Sequence, residues 1–316
     1  MTAAPIKIGV SSCLLGEKVR YDGGHKHDSY ITDLLGRFFT FLPVCPEAGC
    51  GMPVPREAMR LEGDPENPRL MTRSSRIDKT EQMLRYCREK VEELAGEDLC
   101  GFIFKKGSPS SGLFRVKVYR DGMASKSGRG LFAAAVAARF PLLPMEEEGR
   151  LNDSVLRENF IERVFSCRRW KDFLGQAPDL GGLVQSHTRE KLLVMSHSVQ
   201  LYREMGALVA RGKELPWPEL AQRYEELFMR ALQLQATVKK QTNVLMHIMG
   251  YFKKELSPEE KQELLAVIGE YHDGLVPLVV PMTLLKHYVR RSRQQYLEQQ
   301  SYLSARPAEL MLRNHA

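Results

Sequence analysis

The hydrophobic period changes once along this chain, and that change limits the fold more than any single motif does. Up to about Pro144, short apolar runs alternate with helical stretches. "IKIGVSS", "FFTFLPVC", "LCGFIFKK" and "FRVKVY" carry the β-branched and aromatic residues of strands, whereas 77–95 and 130–140 repeat apolar residues at helical steps. Strands alternating with helices imply a largely parallel sheet covered on both faces. After "PLLPMEEEGRLND" the period is helical throughout. Asn152 or Asp153 is expected to cap a helix running to about Phe173, and "GQAPDLGG" at 175–182 has the Pro and Gly of a linker. Helices are expected at about 184–210, 217–255, 258–273 and 281–304, as in "LLVMSHSVQLYREMGALV". The chain thus divides into an α/β domain at 1–145, a helical connector at 146–182 and an all-α domain at 183–316.

Composition narrows the class. With 316 residues, 43% hydrophobic and 27% charged, the chain can bury a large core. It shows no leader pattern and no apolar run near the ~20 residues that cross a bilayer, so no membrane contact and a cytoplasmic location are expected. In a reducing compartment its six cysteines are expected to be free, metal-bound or catalytic rather than paired. The net charge of +7 suits an anionic partner, either a phosphorylated small molecule or nucleic acid.

The thiols and small polar residues of the first half fall where strands end. Cys13 follows the first strand, Cys45 the second, and "KKGSPSSG" at 105–112 the third. Loops after the carboxyl ends of parallel strands converge on one edge, where ligands bind. Cys13, Cys45 and Cys50 would supply three thiolates there, beside Glu47, Ser108, Ser110 and Ser111. Three thiolates suit zinc or a 4Fe-4S cluster with one open iron, although the tight C-x2-C knuckles of many zinc sites are missing. The alternative is that Cys13 and Cys45 are buried strand-end residues, as free cysteines often are. Cys87 and Cys167, on predicted helices, and Cys100, at a strand start, are assigned to core packing.

"VSSCLLGEKVRYDGGHK", "PVCPEAGCGMPVPR" and "GSPSSG" resemble the three signature segments of the TudS family of thiouracil desulfidases, domain of unknown function 523, over about the first 145 residues. "HTREKLLVMSHS", "NVLMHIMGYFKKELSPEEK" and "VPLVVPMTLLKHY" resemble the YbgA-like domain, domain of unknown function 1722. The first resemblance implies a Rossmann-like fold holding a 4Fe-4S cluster on three cysteines. It also implies a non-redox hydrolase or lyase reaction in which a thiolated pyrimidine, as base, nucleoside or nucleotide, loses its sulfur as sulfide. On that basis Cys13 and Cys45 are cluster ligands, Glu47 is the acidic catalytic residue and Ser108 the catalytic serine.

One position departs from the pattern. The family writes its third segment S-P-S-C-G, and this chain puts Ser111 in the ligand place. Serine is a poor replacement because its alkoxide is hard and its hydroxyl is far less acidic than a thiol. Cys50, in C-x4-C spacing from Cys45 and flanked by Gly49 and Gly51, is the expected third ligand. Ser12, Arg20, Asp22, Arg56, Ser110 and Ser111 are expected to bind substrate, with Lys26 a further candidate. His187, His197, His247 and His287 lack the spacing of a shared ligand face and are expected to be satisfied packing residues. Two other functions stay open at this point. The helical half could contact RNA, or a degraded site could leave a structural or electron-transfer protein.

Overall fold

The computed structural model describes residues 5–304, 310 and 312–314. The chain divides into two compact units, 1–160 and 161–316. Among the described residues unit 1 has eight strands: β1 (Ile6–Ser11), β2 (Phe39–Val44), β3 (Met59–Asp64), β4 (Asn67–Thr72), β5 (Leu99–Phe104), β6 (Val116–Arg120), β7 (Met123–Gly128) and β8 (Met145–Glu147). Its helices are the single turn α1 (Pro46–Gly49), α2 (Thr80–Ala95) and α3 (Leu131–Arg139).

Four strands form a parallel sheet in the order β2-β1-β5-β8. Every residue of β5 is buried, as a central parallel strand requires. Gly9 in β1 is a packing necessity, because a Cβ there would lie 2.2 Å from the Phe102 ring of β5. The space instead admits Phe102, which stacks on Phe104 at 4.1 Å and meets Phe132 of α3 edge-on. Leu131, Ala133 and Val136 of α3 and Met83, Cys87 and Val91 of α2 complete this core.

A second sheet has the order β4-β3-β6-β7 and differs from expectation. "FRVKVY" becomes β6 here rather than a strand of the parallel sheet, paired in parallel with β3 and antiparallel with β7. β3 and β4 form an antiparallel hairpin that alternation did not reveal, since "MRLEGD" and "NPRLMT" mix charge, Gly and Pro into short runs.

Helix α4 (Ser154–Leu174) starts where expected: Asp153 Oδ1 accepts from the amides of Val155 and Leu156, at 2.9 and 3.0 Å. Unit 2 continues with α5 (Leu180–His197), α6 (Val199–Ala210), α7 (Trp217–Gln233), α8 (Val238–Met249), α9 (Pro258–His272) and α10 (Val279–Ser292), then short helical turns. Three long helices expected from periodicity are broken. Ser198 turns extended and caps α6 through Leu201 N. Thr237 does the same for α8 through Lys240 N, and Arg293 ends α10 in the left-handed region at φ 49°. Helix α9 begins as predicted, on a complete Ser257/Glu260 capping box. Among the described residues no helix is long and apolar enough to cross a membrane.

Candidate active site

The carboxyl ends of β1, β2 and β5 open into a cleft of about 400 Å³. Each strand delivers one lining segment: Ser11–Ser12–Cys13, Cys45–Pro46–Glu47, and Lys105 to Ser111. The segment after β5 is held in place by its neighbours. The amides of Leu131 and Phe132, at the start of α3, donate to the carbonyls of Pro109 (3.2 Å) and Ser110 (2.9 Å). The buried Glu147 accepts from the amides of Leu113 and Phe114. Gly112 and Gly130 let this loop close on itself, since a Cβ at Gly130 would lie 2.5 Å from the Ser110 carbonyl.

Glu47 sits in the first turn after β2, with its side chain 13% exposed. Its Oε2 accepts from Arg56 Nε at 2.8 Å and forms a second short contact with Arg56 Nη2. Arg56 is in turn anchored on the carbonyls of Val19 (3.0 Å) and Pro53 (3.3 Å). Oε1 of Glu47 accepts from Ser110 Oγ at 2.7 Å. Because a carboxylate only accepts, the single hydroxyl proton of Ser110 is committed to Glu47. Ser108 must therefore donate across the 2.9 Å contact between the two hydroxyls, while its own Oγ accepts from the amides of Ser110 and Ser111. The result is an ordered relay from Ser108 through Ser110 to Glu47. Ser108 acts on Glu47 through Ser110 and not directly.

Cys13 and Cys45 both line the cleft. Burial pushes the Cys13 thiol up to about 11, against the opposing charge of Lys105. Cys45 is also raised by burial, and its Sγ lies 3.8 Å from the Val19 carbonyl. Desolvation of this kind keeps a lone thiol protonated; only a strong positive partner would draw out the thiolates. Positive charge is abundant. Arg20, Lys26, Arg56, Arg73, Lys105 and Lys106 line the cleft, against the single carboxylate of Glu47. Arg56 and Lys105 are paired, Lys105 with Glu148 at 2.6 Å.

Two residues expected here stand outside the lining. The Asp22 side chain is exposed, stabilising its own turn by accepting from Gly24 N at 3.0 Å and pairing with Arg20. Cys50 is directed elsewhere: its thiol donates to the Glu47 carbonyl at 3.3 Å, and it packs against the core with Tyr86 of α2. The flanking glycines have another cause than a loop folding back. A Cβ on Gly49 would strike the Tyr86 hydroxyl at 2.5 Å, and Gly51 takes φ +85° to leave α1. Ser12, Arg20, Arg56, Ser110 and Ser111 all line the cleft. Ser111 is almost fully buried, with its amide held by Ser108. Lys105, Lys106 and Arg73 were not anticipated. The two lysines follow β5 at the ligand edge and were legible from "FIFKKGSPSS", whereas Arg73 follows β4, a strand that periodicity did not reveal.

An iron-sulfur group would thus meet two soft donors on the lining, Cys13 and Cys45, and beyond them hard hydroxyls, that of Ser111 among them. Among the described residues no three His, Cys, Asp or Glu side chains converge as a metal site. The lining therefore offers such a group two thiols and no third.

A cleft of this size at the carboxyl edge of a parallel sheet defines an α/β protein built to take a small ligand. Residues 8–148 match the family model described as 2-thiouracil desulfurase, and residues 191–307 match that of a protein of unknown function, DUF1722. The uncharacterized protein YbgA of Escherichia coli (strain K12) is 34% identical over 168 residues, spanning 52% of this chain and 95% of that protein. A solved structure, the 4Fe-4S-dependent thiouracil desulfidase TudS, is 30% identical, with 47% of this chain and 94% of that one covered at a TM-score of 0.40. The chain belongs to the 2-thiouracil desulfurase family over its first half and to the family of YbgA over its second.

Proposed function

We propose that unit 1 is an iron-sulfur-dependent, non-redox desulfidase that converts a thiolated pyrimidine, as base, nucleoside or nucleotide, to its oxo form and releases sulfide. The observation that carries this reading is the meeting of two thiols with a clamped carboxylate in one cleft, within the segment that matches the desulfurase family. Cys13 and Cys45 would hold a 4Fe-4S cluster, with the Ser111 hydroxyl as third donor. Ser111 is favoured over Cys50 because it lines the cleft, whereas the Cys50 thiol is engaged by the Glu47 carbonyl. Bound there, the cluster would supply an open iron acting as a Lewis acid toward the substrate sulfur.

The protein's own part is proton handling and placement. Oε1 of Glu47 has one donor, Ser110, and a further lone-pair direction for a water molecule. Glu47 takes a proton from that water as its oxygen bonds to the ring carbon. The carbon–sulfur bond then breaks and sulfur leaves as sulfide. Water in and hydrogen sulfide out leave the electron count unchanged, so no reductant is consumed. Arg56 fixes the carboxylate from one side and the serine relay from the other, which holds the base in one geometry through the step. Arg20, Lys26, Arg73 and Lys106 give the cleft a positive rim for a polar or phosphorylated substrate edge.

The test is anaerobic reconstitution followed by incubation with 2-thiouracil and 4-thiouridine. Stoichiometric sulfide and the oxo pyrimidine, without added reductant, are expected. Sulfide release that strictly requires reductant, or none from a sample with full iron and sulfide content, overturns the reading.

A further inference from the structure

Unit 2 contains a second cavity, of about 570 Å³, between α5 and α6. On α5, Leu180, Val184, His187 and Lys191 follow one another at helical steps along one face; on α6, Tyr202, Gly206 and Val209 do the same. The walls are mainly apolar. The charged side chains on the lining are Lys191, Arg203 and Lys213, all cationic. None of them has a carboxylate partner within ion-pair distance among the described residues. Three uncompensated cations around one apolar hollow raise the local concentration of anions.

A second, independent observation lies at the bottom of the hollow. His187 is 3% exposed, and its Nε2 has no hydrogen-bond partner. That nitrogen faces Gly206, where an added Cβ would still be 3.9 Å away. The other ring nitrogen, Nδ1, lies 3.3 Å from the hydroxyl of the fully buried Tyr224. The tautomer follows from counting hydrogens. If Nδ1 carried the proton, the Tyr224 hydroxyl hydrogen and the Nε2 lone pair would both be left without partners. With Tyr224 donating to Nδ1, only one group is unsatisfied, and it is an N–H donor at Nε2. A buried donor beside three unpaired cations and an apolar wall asks for an acceptor that is anionic and carries an apolar body.

We propose that this cavity is a binding site for a small organic phosphate, its apolar body lying on Leu180, Val184 and Val209 and its phosphate taken by the three cations and by His187 Nε2–H. Burial, aided by Lys191, holds His187 down to about 4, so the ring is neutral near pH 7 and contributes a hydrogen bond rather than a charge. The site is independent of the cleft in unit 1 and of the desulfidase reading.

The experiment is calorimetric titration of the full chain with 1-naphthyl phosphate, with 1-naphthol and inorganic phosphate as the two half-ligands. The phosphate ester should bind about tenfold or more tightly than either half. Gly206→Val, which fills the hollow, should lower its affinity at least about tenfold with the melting temperature retained. Lys191→Gln combined with Lys213→Gln should weaken the ester and leave naphthol unchanged. His187 is buried and its replacement risks the fold, so its role is read in the wild-type protein: the ring Nε2–H resonance should appear in the neutral Nε2–H tautomer and shift when the ester is added. The proposal is overturned if the ester binds no better than naphthol, if Gly206→Val binds it unchanged, or if the His187 ring is found as the Nδ1–H tautomer and does not respond.

Discussion

Replacing Arg56 with methionine should destabilise unit 1 far more than a surface ion pair would. The Arg56 and Glu47 side chains are 6% and 13% exposed. Arg56→Met removes both guanidinium contacts to Glu47 and the bonds to the Val19 and Pro53 carbonyls. Glu47 then keeps Ser110 as a donor and loses its counter-charge inside the cleft. Removing one partner of a buried pair costs about 3–5 kcal/mol, because the remaining charge stays desolvated and uncompensated. For a unit of this size that corresponds to a fall of roughly 6–20 °C in melting temperature. Adding Glu47→Gln should recover much of the loss. What remains is about 1 kcal/mol for each carbonyl that gives up its donor. Hydrogen exchange of the fully buried β5 amides, Phe102 and Ile103, reads the opening free energy of unit 1 separately from unit 2. If Arg56→Met costs under ~1 kcal/mol, or the double change costs as much as the single one, Arg56 is not the electrostatic clamp of Glu47 and the argument fails.

Glu47→Gln should retain iron and sulfide after reconstitution and lose turnover by the ~10² to 10⁴ of a general base; unchanged turnover would remove Glu47 from the reaction. Cys13→Ser and Cys45→Ser should abolish cluster assembly. Cys50→Ser should leave iron and sulfide content intact and Ser111→Cys should raise resistance to air, with the reverse pattern returning the third ligand to Cys50. In the second sheet, Arg76 first and Arg60 second hold the Glu62 carboxyl down to about 2 from 4.5. A depressed carboxyl contributes stability that is fully present above 4.5 and is lost as pH falls through about 2. Urea unfolding of unit 1 between pH 5 and 2 should therefore show a steep acid loss that Glu62→Gln flattens, and parallel curves for the two proteins would contradict the linkage.

How far the sequence carried depended on the range of the interaction that decides each feature. Strand β5 was legible because a strand buried on both faces reads as an unbroken apolar run, and β1 and the edge strand β2 because β-branched and aromatic residues dominate them; their loop residues follow from the convergence of parallel carboxyl ends. That is why the sequence alone leads to Cys13, Cys45, Glu47, Ser110 and Ser111 at one cleft. The hairpin of β3 and β4 was not legible, and Arg73 was lost with it, since a strand of mixed composition is defined by its partners rather than by its own period. In unit 2 the amphipathic faces were visible, but the breaks at Ser198 and Thr237 each rest on one side-chain cap that periodicity averages over. The histidines divide for a similar reason. His197 is packed as expected, its ring within reach of Glu162 and the Leu234 carbonyl, while His247 and His287 are exposed beside Tyr251 and Tyr288.

Cys50 shows where spacing stops being evidence. C-x4-C fixes how far apart two thiols are along the chain, but α1 fixes which way each one faces. Cys45 is the residue before that turn and Cys50 the residue after it. The turn carries the chain from the cleft to α2, where Tyr86 occupies the space that a side chain on Gly49 would need and Gln82 Nε2 donates to the Cys50 carbonyl at 2.8 Å. The Cys50 thiol donates to the carbonyl of Glu47, and the Glu47 side chain is held from inside that same turn by Arg56 and Ser110. The carboxylate proposed as base and a Cys50 ligand would therefore draw on one piece of backbone. On the proposed desulfidase reading, a chain that keeps Glu47 where the relay reaches it would leave the third donor position to Ser111.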